Sequence, residues 1–231
     1  MALTDNLISY WKLDETSGTR YDSKGSNDLT DNNSVLYGTG KIGNAADFEA
    51  SNSEYLSHAD SVSLSFGNED FTVAGWVKLE STVYGAIASK WDSHLFDREY
   101  MLWYDDLRFK FGISSDGANQ GHAVSDNLGD VALDTWYYVV GWHDATANKI
   151  YIQVNNGTVD ETAWTTGCND NTSPFKLGLF STTSFLDGLV DEVGIWGRVL
   201  TSDERTDLYN SGDGLAYPFT GATFTPKMFW M

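Results

Sequence analysis

The stretch from Asp134 to Gly157 reads DTWYYVVGWHDATANKIYIQVNNG, and the character of its side chains alternates with a period of two. Residues 136–142 place Trp, Tyr, Val and Trp on one face, which is the alternation of a β-strand. A polar turn follows, and residues 150–154 alternate again. Asn156–Gly157 is a strong hairpin signal because both residue types accept positive φ. The stretch therefore predicts an antiparallel meander.

The same pattern recurs along the chain. Residues 69–79 and 107–115 alternate in the same way, and shorter apolar runs occur near both ends. The 22 Gly against 3 Pro indicate many tight turns between these runs. One short helix is predicted in residues 200–212, where Thr201 and Glu204 have the spacing of a capping box. We therefore predict an all-β fold, a two-sheet antiparallel β-sandwich with one short C-terminal helix.

Composition and charge restrict the classes of partner. The 231 residues are 41% hydrophobic and 14% aromatic, which is enough for a packed core. With 14 Lys and Arg against 33 Asp and Glu, the net charge of -19 repels phosphate backbones and anionic lipid, so we predict no nucleic acid and no membrane partner. One Cys and 4 His do not suffice for a zinc cluster.

The N-terminal sequence lacks a basic region followed by an apolar run, so no signal peptide is predicted. If the protein works outside a cell, we expect a virion, cell lysis or a larger parent chain to carry it there. We therefore predict a virion or extracellular surface as its location.

Five segments, in the right order, resemble the laminin-G-like, concanavalin A-like jelly-roll domains of lectin/glucanase type. They are residues 7–30 (LISYWKLDETSGTRYDSKGSNDLT), 40–57 (GKIGNAADFEASNSEYLS), 69–79 (EDFTVAGWVKL), 135–157 and 188–212 (GLVDEVGIWGRVLTSDERTDLYNSG). The resemblance implies two packed antiparallel sheets. It does not settle the function, because such domains include sugar-binding modules, calcium-dependent adhesion domains, hydrolase appendages and virus structural parts.

The loop Tyr21–Asn33 (YDSKGSNDLTDNN) is rich in the oxygen ligands that calcium prefers, of which it takes about 6–8. Asp22 is predicted as the first ligand, with carbonyls near Gly25 and the amide of Asn27. Asp191 interrupts an apolar face of the closing strand, and a buried carboxylate must be neutralised, paired or bound to metal. The resemblance supports a structural Ca²⁺ between these segments. The alternatives are an ordinary Asx-turn for the first aspartate and a hydrogen-bonded strand-end residue for the second.

The spacing of the acids argues against an enzyme. Glucanases of this fold carry E-x-D-x-E on one strand, whereas Asp47-x-Glu49 and Asp97-x-Glu99 each lack the third acid. The first pair lies in a segment that matches the family, so we interpret it as structural. A nucleophile elbow, a phosphate loop and HExxH are absent from the sequence. The chain is predicted not to be an enzyme, with a glycoside hydrolase as the second alternative.

Sugar binding requires exposed aromatic planes flanked by polar side chains. The polar and aromatic segment 90–106 (KWDSHLFDREYMLWYDD) is the best candidate, since functional residues favour loops. The predicted ligand-binding residues are Trp91, Asp92, His94, Arg98, Trp103 and Tyr104. The alternative is that these rings pack in the core, as Trp76, Trp136, Trp142 and Trp196 are expected to do.

No repeat, linker or composition break divides residues 1–217, which are predicted as one jelly-roll domain. The tail 218–231 contains Phe229 and Trp230 and is predicted to pack on this domain or on a neighbouring subunit of a homo-oligomer. We predict a non-catalytic, calcium-stabilised carbohydrate-binding or adhesion module whose partner is a glycan or a host-surface polysaccharide. The alternative is a virion structural protein, a capsid decoration or tail component, that contacts capsid or tail proteins and binds no sugar.

Overall fold

The computed structural model describes residues 1–93 and 96–220, which form antiparallel sheets and one short helix. In chain order the strands are β1 (Leu7–Trp11), β2 (Thr30–Asn32), β3 (Leu36–Thr39), β4 (Asn44–Phe48), β5 (Tyr55–His58), β6 (Phe71–Leu79), β7 (Gly85–Asp92), β8 (Asp97–Asp105), β9 (Arg108–Ser114), β10 (Gln120–Val124), β11 (Trp136–Asp144), β12 (Lys149–Val154), β13 (Val159–Ala163), β14 (Phe175–Leu177), β15 (Leu179–Phe180), β16 (Ser184–Phe185) and β17 (Gly188–Trp196). The helix is α1 (Ser202–Tyr209), and short 3₁₀ turns cover Ala50–Asn52, Val62–Leu64 and Asn210–Gly212.

Two large sheets make up the sandwich. The first has 8 strands in the order β13-β12-β11-β6-β17-β4-β3, with β1 paired to β17. The second has 7 strands in the order β10-β9-β8-β7-β14-β5-β2, and β15 and β16 form a separate two-stranded ribbon. The predicted meander is confirmed, because β12 pairs with both β11 and β13 and sets Trp142 opposite Tyr151. In the described part of the chain, no helix is long and apolar enough to span a membrane.

The main core lies between the two sheets. Fully buried side chains from both sheets meet there, among them Val73, Ile152 and Val193 from the first and Ile87, Leu102 and Phe111 from the second. Phe71 is in contact with several rings, since it stacks on Phe66 at 4.4 Å and lies 5.2 Å from Tyr100. Burial of this apolar surface is the main force that holds the two sheets together.

A second apolar cluster covers the outer face of the first sheet. Its aromatic members include Trp76, Tyr138, Trp142 and Trp196, so these tryptophans pack in the fold. Leu208 of α1 and Phe219 near the end of the described chain close the cluster, and Tyr217 stacks on Tyr10 at 5.1 Å. The first residues of the predicted tail therefore pack on the sandwich. Phe229 and Trp230 lie outside the described residues.

The start of α1 is held by the predicted capping box. The Thr201 hydroxyl accepts a hydrogen bond from the Glu204 backbone, and the Glu204 carboxylate accepts from the Thr201 backbone. The same carboxylate accepts two hydrogen bonds from Arg198, at 2.7 and 2.8 Å. The guanidinium of Arg198 also donates to the carbonyl oxygens of Ala2 and Asp5. This buried group therefore joins the helix, the end of β17 and the N-terminal residues.

Candidate functional site

Asp22 lies in the loop after β1 and accepts four backbone hydrogen bonds. Its Oδ1 atom accepts from the N–H groups of Tyr10 at 3.0 Å, Lys24 at 3.0 Å and Gly25 at 2.9 Å. Its Oδ2 atom accepts from the N–H of Asn27 at 3.1 Å. An ionised carboxylate offers about four lone-pair sites, so these donors occupy most of its capacity. The geometry corresponds to the Asx-turn alternative and leaves this carboxylate little to offer a metal.

Gly25 and Asn27 support the same loop. A Cβ atom at Gly25 would lie 2.7 Å from Oδ2 of Asp22 and 2.7 Å from a backbone carbonyl of β1, so the turn excludes a larger residue. The Asn27 side-chain amide donates to the hydroxyls of Ser9 at 2.8 Å and Ser63 at 3.0 Å. These groups fasten the loop to its neighbours through hydrogen bonds.

The structure does not bring Asp22 and Asp191 together. Asp22 forms an isolated bridge with Trp11, and Trp11 pairs on its other side with Val193 of β17. Strand β1 therefore lies between the loop and the closing strand, which places them about two strand spacings, roughly 10 Å, apart. The predicted ligand set is therefore divided between two places in the structure.

Asp191 and Glu192 lie at a bulge in β17 where its pairing with β6 shifts register. Asp191 is 0% exposed and Glu192 is 3% exposed. The Oδ2 atom of Asp191 accepts from the N–H of Ile42 at 2.9 Å, whereas its Oδ1 and the Oε2 of Glu192 have no hydrogen-bond partner among the described residues. Buried polar oxygens without a partner are rare and need an explanation.

The electrostatics around this bulge disfavour negative charge. Burial, the largest cause, together with repulsion from the nearby Asp14 carboxylate, raises the pKa of Asp191 to about 8 and that of Glu192 to about 7. Lys12 is the cation that lowers the pKa of Glu192, and it is itself paired with Asp14 at 3.2 Å. Calcium prefers hard oxygen ligands, which Asp14, Asp191 and Glu192 supply. The described residues bring together only Asp47, Glu49 and Glu80 as a group of three acids whose ligand atoms all lie within 4.8 Å of one another, so a calcium ion at Asp14, Asp191 and Glu192 would require these side chains to move closer.

The aromatic rings of segment 90–106 are not exposed platforms. Trp91 is 2% exposed, Trp103 is 7% exposed and Tyr104 is 1% exposed. The two tryptophans pack on the outer face of the second sheet beneath Phe180 of the β15–β16 ribbon, and Tyr104 lies in the main core. The packing alternative explains these three predicted ligand residues, because the ribbon covers the rings.

The remaining predicted residues of this segment contact the rest of the protein. The Arg98 guanidinium lies 5.7 Å from the centre of the Trp91 ring and donates to the carbonyl of Ala118 at 2.8 Å. Asp92 accepts from the Ser181 hydroxyl at 3.5 Å. His94 lies outside the described residues. Among the described residues of segment 90–106, Phe96 is the only exposed aromatic ring.

Asp47, Glu49 and Glu80 form a group of carboxylates whose oxygens all lie within 4.8 Å of one another. Burial is the largest cause that raises the pKa of each, and repulsion from Asp187 adds to it. Lys78, in contrast, lowers the pKa values of Asp47 and Glu80. Glu80 follows β6 and the other two lie at the end of β4, with β17 between these strands in the sheet. Sequence spacing could not identify Glu80 as a member, because it joins the pair only through sheet pairing.

An open cleft of about 590 Å³ lies beside the Val62–Leu64 turn. Its lining comes from residues within the separate segments 6–8, 62–66, 69–70 and 197–198. Ile8, Val62 and Phe66 supply apolar surface, and Asn6 and Glu69 supply polar groups. No sequence pattern indicated this cleft, because each segment contributes only two to four of its residues.

Comparisons with known proteins agree with this architecture. Residues 50–204 match the family model described as the concanavalin A-like lectin/glucanases superfamily. No curated protein matches the chain. One similar solved structure is domain 4 of AbnA, a GH43 extracellular arabinanase from Geobacillus stearothermophilus, in complex with arabinotriose. The TM-score is 0.62 and the sequence identity is 20%, and the match covers 87% of this chain and 97% of that one.

Two toxin domains are similar as well. The binding domain of Paraclostridial Mosquitocidal Protein 1 has a TM-score of 0.71 and 16% identity, over 91% of this chain and 53% of that one. The botulinum neurotoxin serotype G binding domain has a TM-score of 0.69 and 14% identity, over 88% of this chain and 50% of that one. This chain spans about half the length of these toxin domains. At such low identities the likeness shows a shared fold, and the family match covers most of the sandwich. The chain therefore belongs to the concanavalin A-like lectin/glucanases superfamily.

Proposed function

We propose that this chain is a non-catalytic module that binds carbohydrate and that calcium stabilises its fold. The observation that carries the proposal is the similarity over 97% of an arabinanase domain whose structure contains arabinotriose. The toxin relatives are described as binding domains as well. We further propose that the module is displayed on a virion or extracellular surface, where a glycan or host-surface polysaccharide is its partner.

The arrangement of acids supports binding over hydrolysis. A glycosidase pairs a protonated acid with an ionised carboxylate, so the environments of the two push their pKa values apart. In the group of Asp47, Glu49 and Glu80 burial and repulsion raise all three pKa values in the same direction. The three acids also come from two strands, unlike the single-strand E-x-D-x-E of the glucanases. The arrangement of this group therefore differs from that of the catalytic acids in those glucanases.

The calcium part of the proposal assigns the ion to Asp14, Asp191 and Glu192. Calcium would supply positive charge to the carboxylates of Asp191 and Glu192. The Oδ1 atom of the first and the Oε2 atom of the second have no hydrogen-bond partner among the described residues. Of the ligands predicted from sequence, Asp191 is retained. Asp22, Gly25 and Asn27 are replaced, because their loop satisfies its own polar groups through hydrogen bonds.

The proposed function predicts binding on a glycan array. The wild-type protein, loaded with calcium, is expected to bind at least one class of oligosaccharide, and chelator is expected to weaken binding only as far as it destabilises the fold. The array is probed with labelled protein at a temperature below the melting transition of both forms. If the protein bound no glycan on the array and light scattering detected trimers or larger particles, the proposal would be contradicted and the virion structural alternative favoured.

A further inference from the structure

We propose that the cleft beside the Val62–Leu64 turn is the saccharide-binding site and that it selects uncharged glycans over acidic ones. This inference rests on the proposed carbohydrate-binding function and adds a location and a ligand class to it. The cleft volume of about 590 Å³ lies within the range of small-ligand sites, roughly 300–1,000 Å³. Neither the proposed calcium ligands nor the residues of segment 90–106 line this cleft, although Tyr100 packs against Phe66 of its lining.

The apolar part of the cleft is preformed. Phe66 is only 8% exposed and is held in place by its ring stack on Phe71 at 4.4 Å and by contact with Tyr100. Most of the accessible apolar surface therefore comes from Ile8 and Val62. Ile8 extends the apolar surface from β1, and Val62 stands at the rim with 92% of its surface exposed. The C–H faces of a sugar ring pack against such surfaces, and a rigid site avoids the entropy cost of ordering side chains on binding.

The polar part of the cleft offers both donors and acceptors to sugar hydroxyls. Asn6 contributes an amide and Glu69 a carboxylate, whereas the Ser63 hydroxyl is engaged by Asn27. Asp70 is oriented by the hydrogen bond that its Oδ1 accepts from the Ala145 backbone at 2.8 Å. A few polar groups fixed around an apolar surface are typical of a site that recognises a small polar ligand.

The charge of the cleft decides between glycan classes. Arg198 lines the cleft, and both of its terminal nitrogens bind the Glu204 carboxylate, at 2.7 and 2.8 Å. Its Nε atom donates to the carbonyl of Asp5 at 2.8 Å. The positive charge is therefore already neutralised, whereas Glu69 and Asp70 remain as negative groups of the lining. A sialic or uronic acid would enter this cleft against repulsion, so an uncharged glycan is favoured.

The test compares substitutions at two exposed valines. Titration calorimetry measures the Kd of each variant for the neutral oligosaccharide that binds the wild type best on the array. Val62→Asp is expected to raise the Kd roughly tenfold or more, since it removes apolar contact and adds negative charge, a tenfold change being about 1.4 kcal/mol. Val83→Asp, at a valine that is 45% exposed and outside the cleft, is expected to leave the Kd within about twofold, because exposed sites away from the ligand tolerate such changes. Asn6→Gly, which keeps the positive φ of 53° accessible, is expected to weaken binding as well.

Each outcome decides a separate claim. If Val62→Asp and Asn6→Gly keep the wild-type Kd for a glycan that the wild type binds, the cleft is the wrong site although the carbohydrate-binding function stands. If sialylated or uronic glycans bind more tightly than neutral ones at physiological salt, the selectivity is wrong. If the wild type binds no glycan, the proposed function and this site both fail.

Discussion

Calcium is expected to raise the melting temperature of the metal-free wild-type protein, and Asp191→Asn is expected to abolish most of that increase. Asp191 is fully buried and its Oδ1 atom has no hydrogen-bond partner among the described residues, as is true of the Oε2 atom of Glu192. An ion present at 100 times its Kd stabilises the folded state by about 2.7 kcal/mol. The measurement is calorimetric melting in chelator and then in excess calcium, with magnesium as the comparison ion.

Asp22→Asn is the matched control for this experiment. It is expected to destabilise the protein equally with and without calcium, because the Asp22 carboxylate serves four backbone donors. If calcium stabilised Asp191→Asn as strongly as the wild type, the ligand assignment would be wrong. If instead Asp22→Asn lost the calcium response, the ion would bind the loop that the sequence indicated.

The pH dependence of stability provides an independent test of the same calcium ion. Burial raises the folded-state pKa of Asp191 to about 8 and of Glu192 to about 7, above unfolded values of about 3.9 and 4.3. Between about pH 4 and pH 8 the folded state therefore holds more protons, so the stability of the metal-free protein falls as pH rises. Because calcium binds deprotonated carboxylates, its stabilising increment should grow over the same window.

Replacing Arg198 with methionine is expected to lower the free energy of unfolding by about 3–5 kcal/mol, the cost of removing one partner of a buried ion pair. Arg198 binds Glu204 through two hydrogen bonds and also reaches the carbonyls of Ala2 and Asp5. Its loss leaves a buried carboxylate uncompensated and releases the N-terminal residues from the end of β17. Urea denaturation monitored by tryptophan fluorescence gives this free energy.

Arg108→Met provides the comparison for an exposed pair. Arg108 bonds Asp130, whose side chain is 71% exposed, so its removal is expected to cost less than about 1 kcal/mol. In a double-mutant cycle, Arg198→Met with Glu204→Gln should cost less than the sum of the two single changes. Equal losses for Arg198→Met and Arg108→Met would show that the buried pair does not hold the helix to the sandwich.

The fold could be predicted from the sequence because strands and caps leave local signals. Alternation in residues 134–157 correctly indicates β11, β12 and the hairpin after them, since one face of each strand is buried. Thr201 and Glu204 form the expected capping box because its geometry depends on only four consecutive residues. These features needed no knowledge of distant contacts.

The site was less accessible to such reasoning. The sequence predicted both Asp22 and Asp191 as metal ligands, but only the sheet order shows that β1 lies between them. Trp91 lies in a polar segment, yet a ribbon about 90 residues later in the chain buries it. The carboxylate of Glu192 became a candidate only through the bulge in β17, which no local pattern indicated. Long-range pairing therefore decides which polar and aromatic residues remain available.

The central claim is that this β-sandwich binds a glycan without hydrolysing it. The most direct measurement is mass spectrometry of a neutral oligosaccharide after prolonged incubation with calcium-loaded wild-type protein at a concentration that saturates binding. We expect to recover the oligosaccharide at its original mass, still able to rebind. Shorter products formed by the wild type, and lost when Glu80→Gln removes one of the three clustered carboxylates, would contradict the claim.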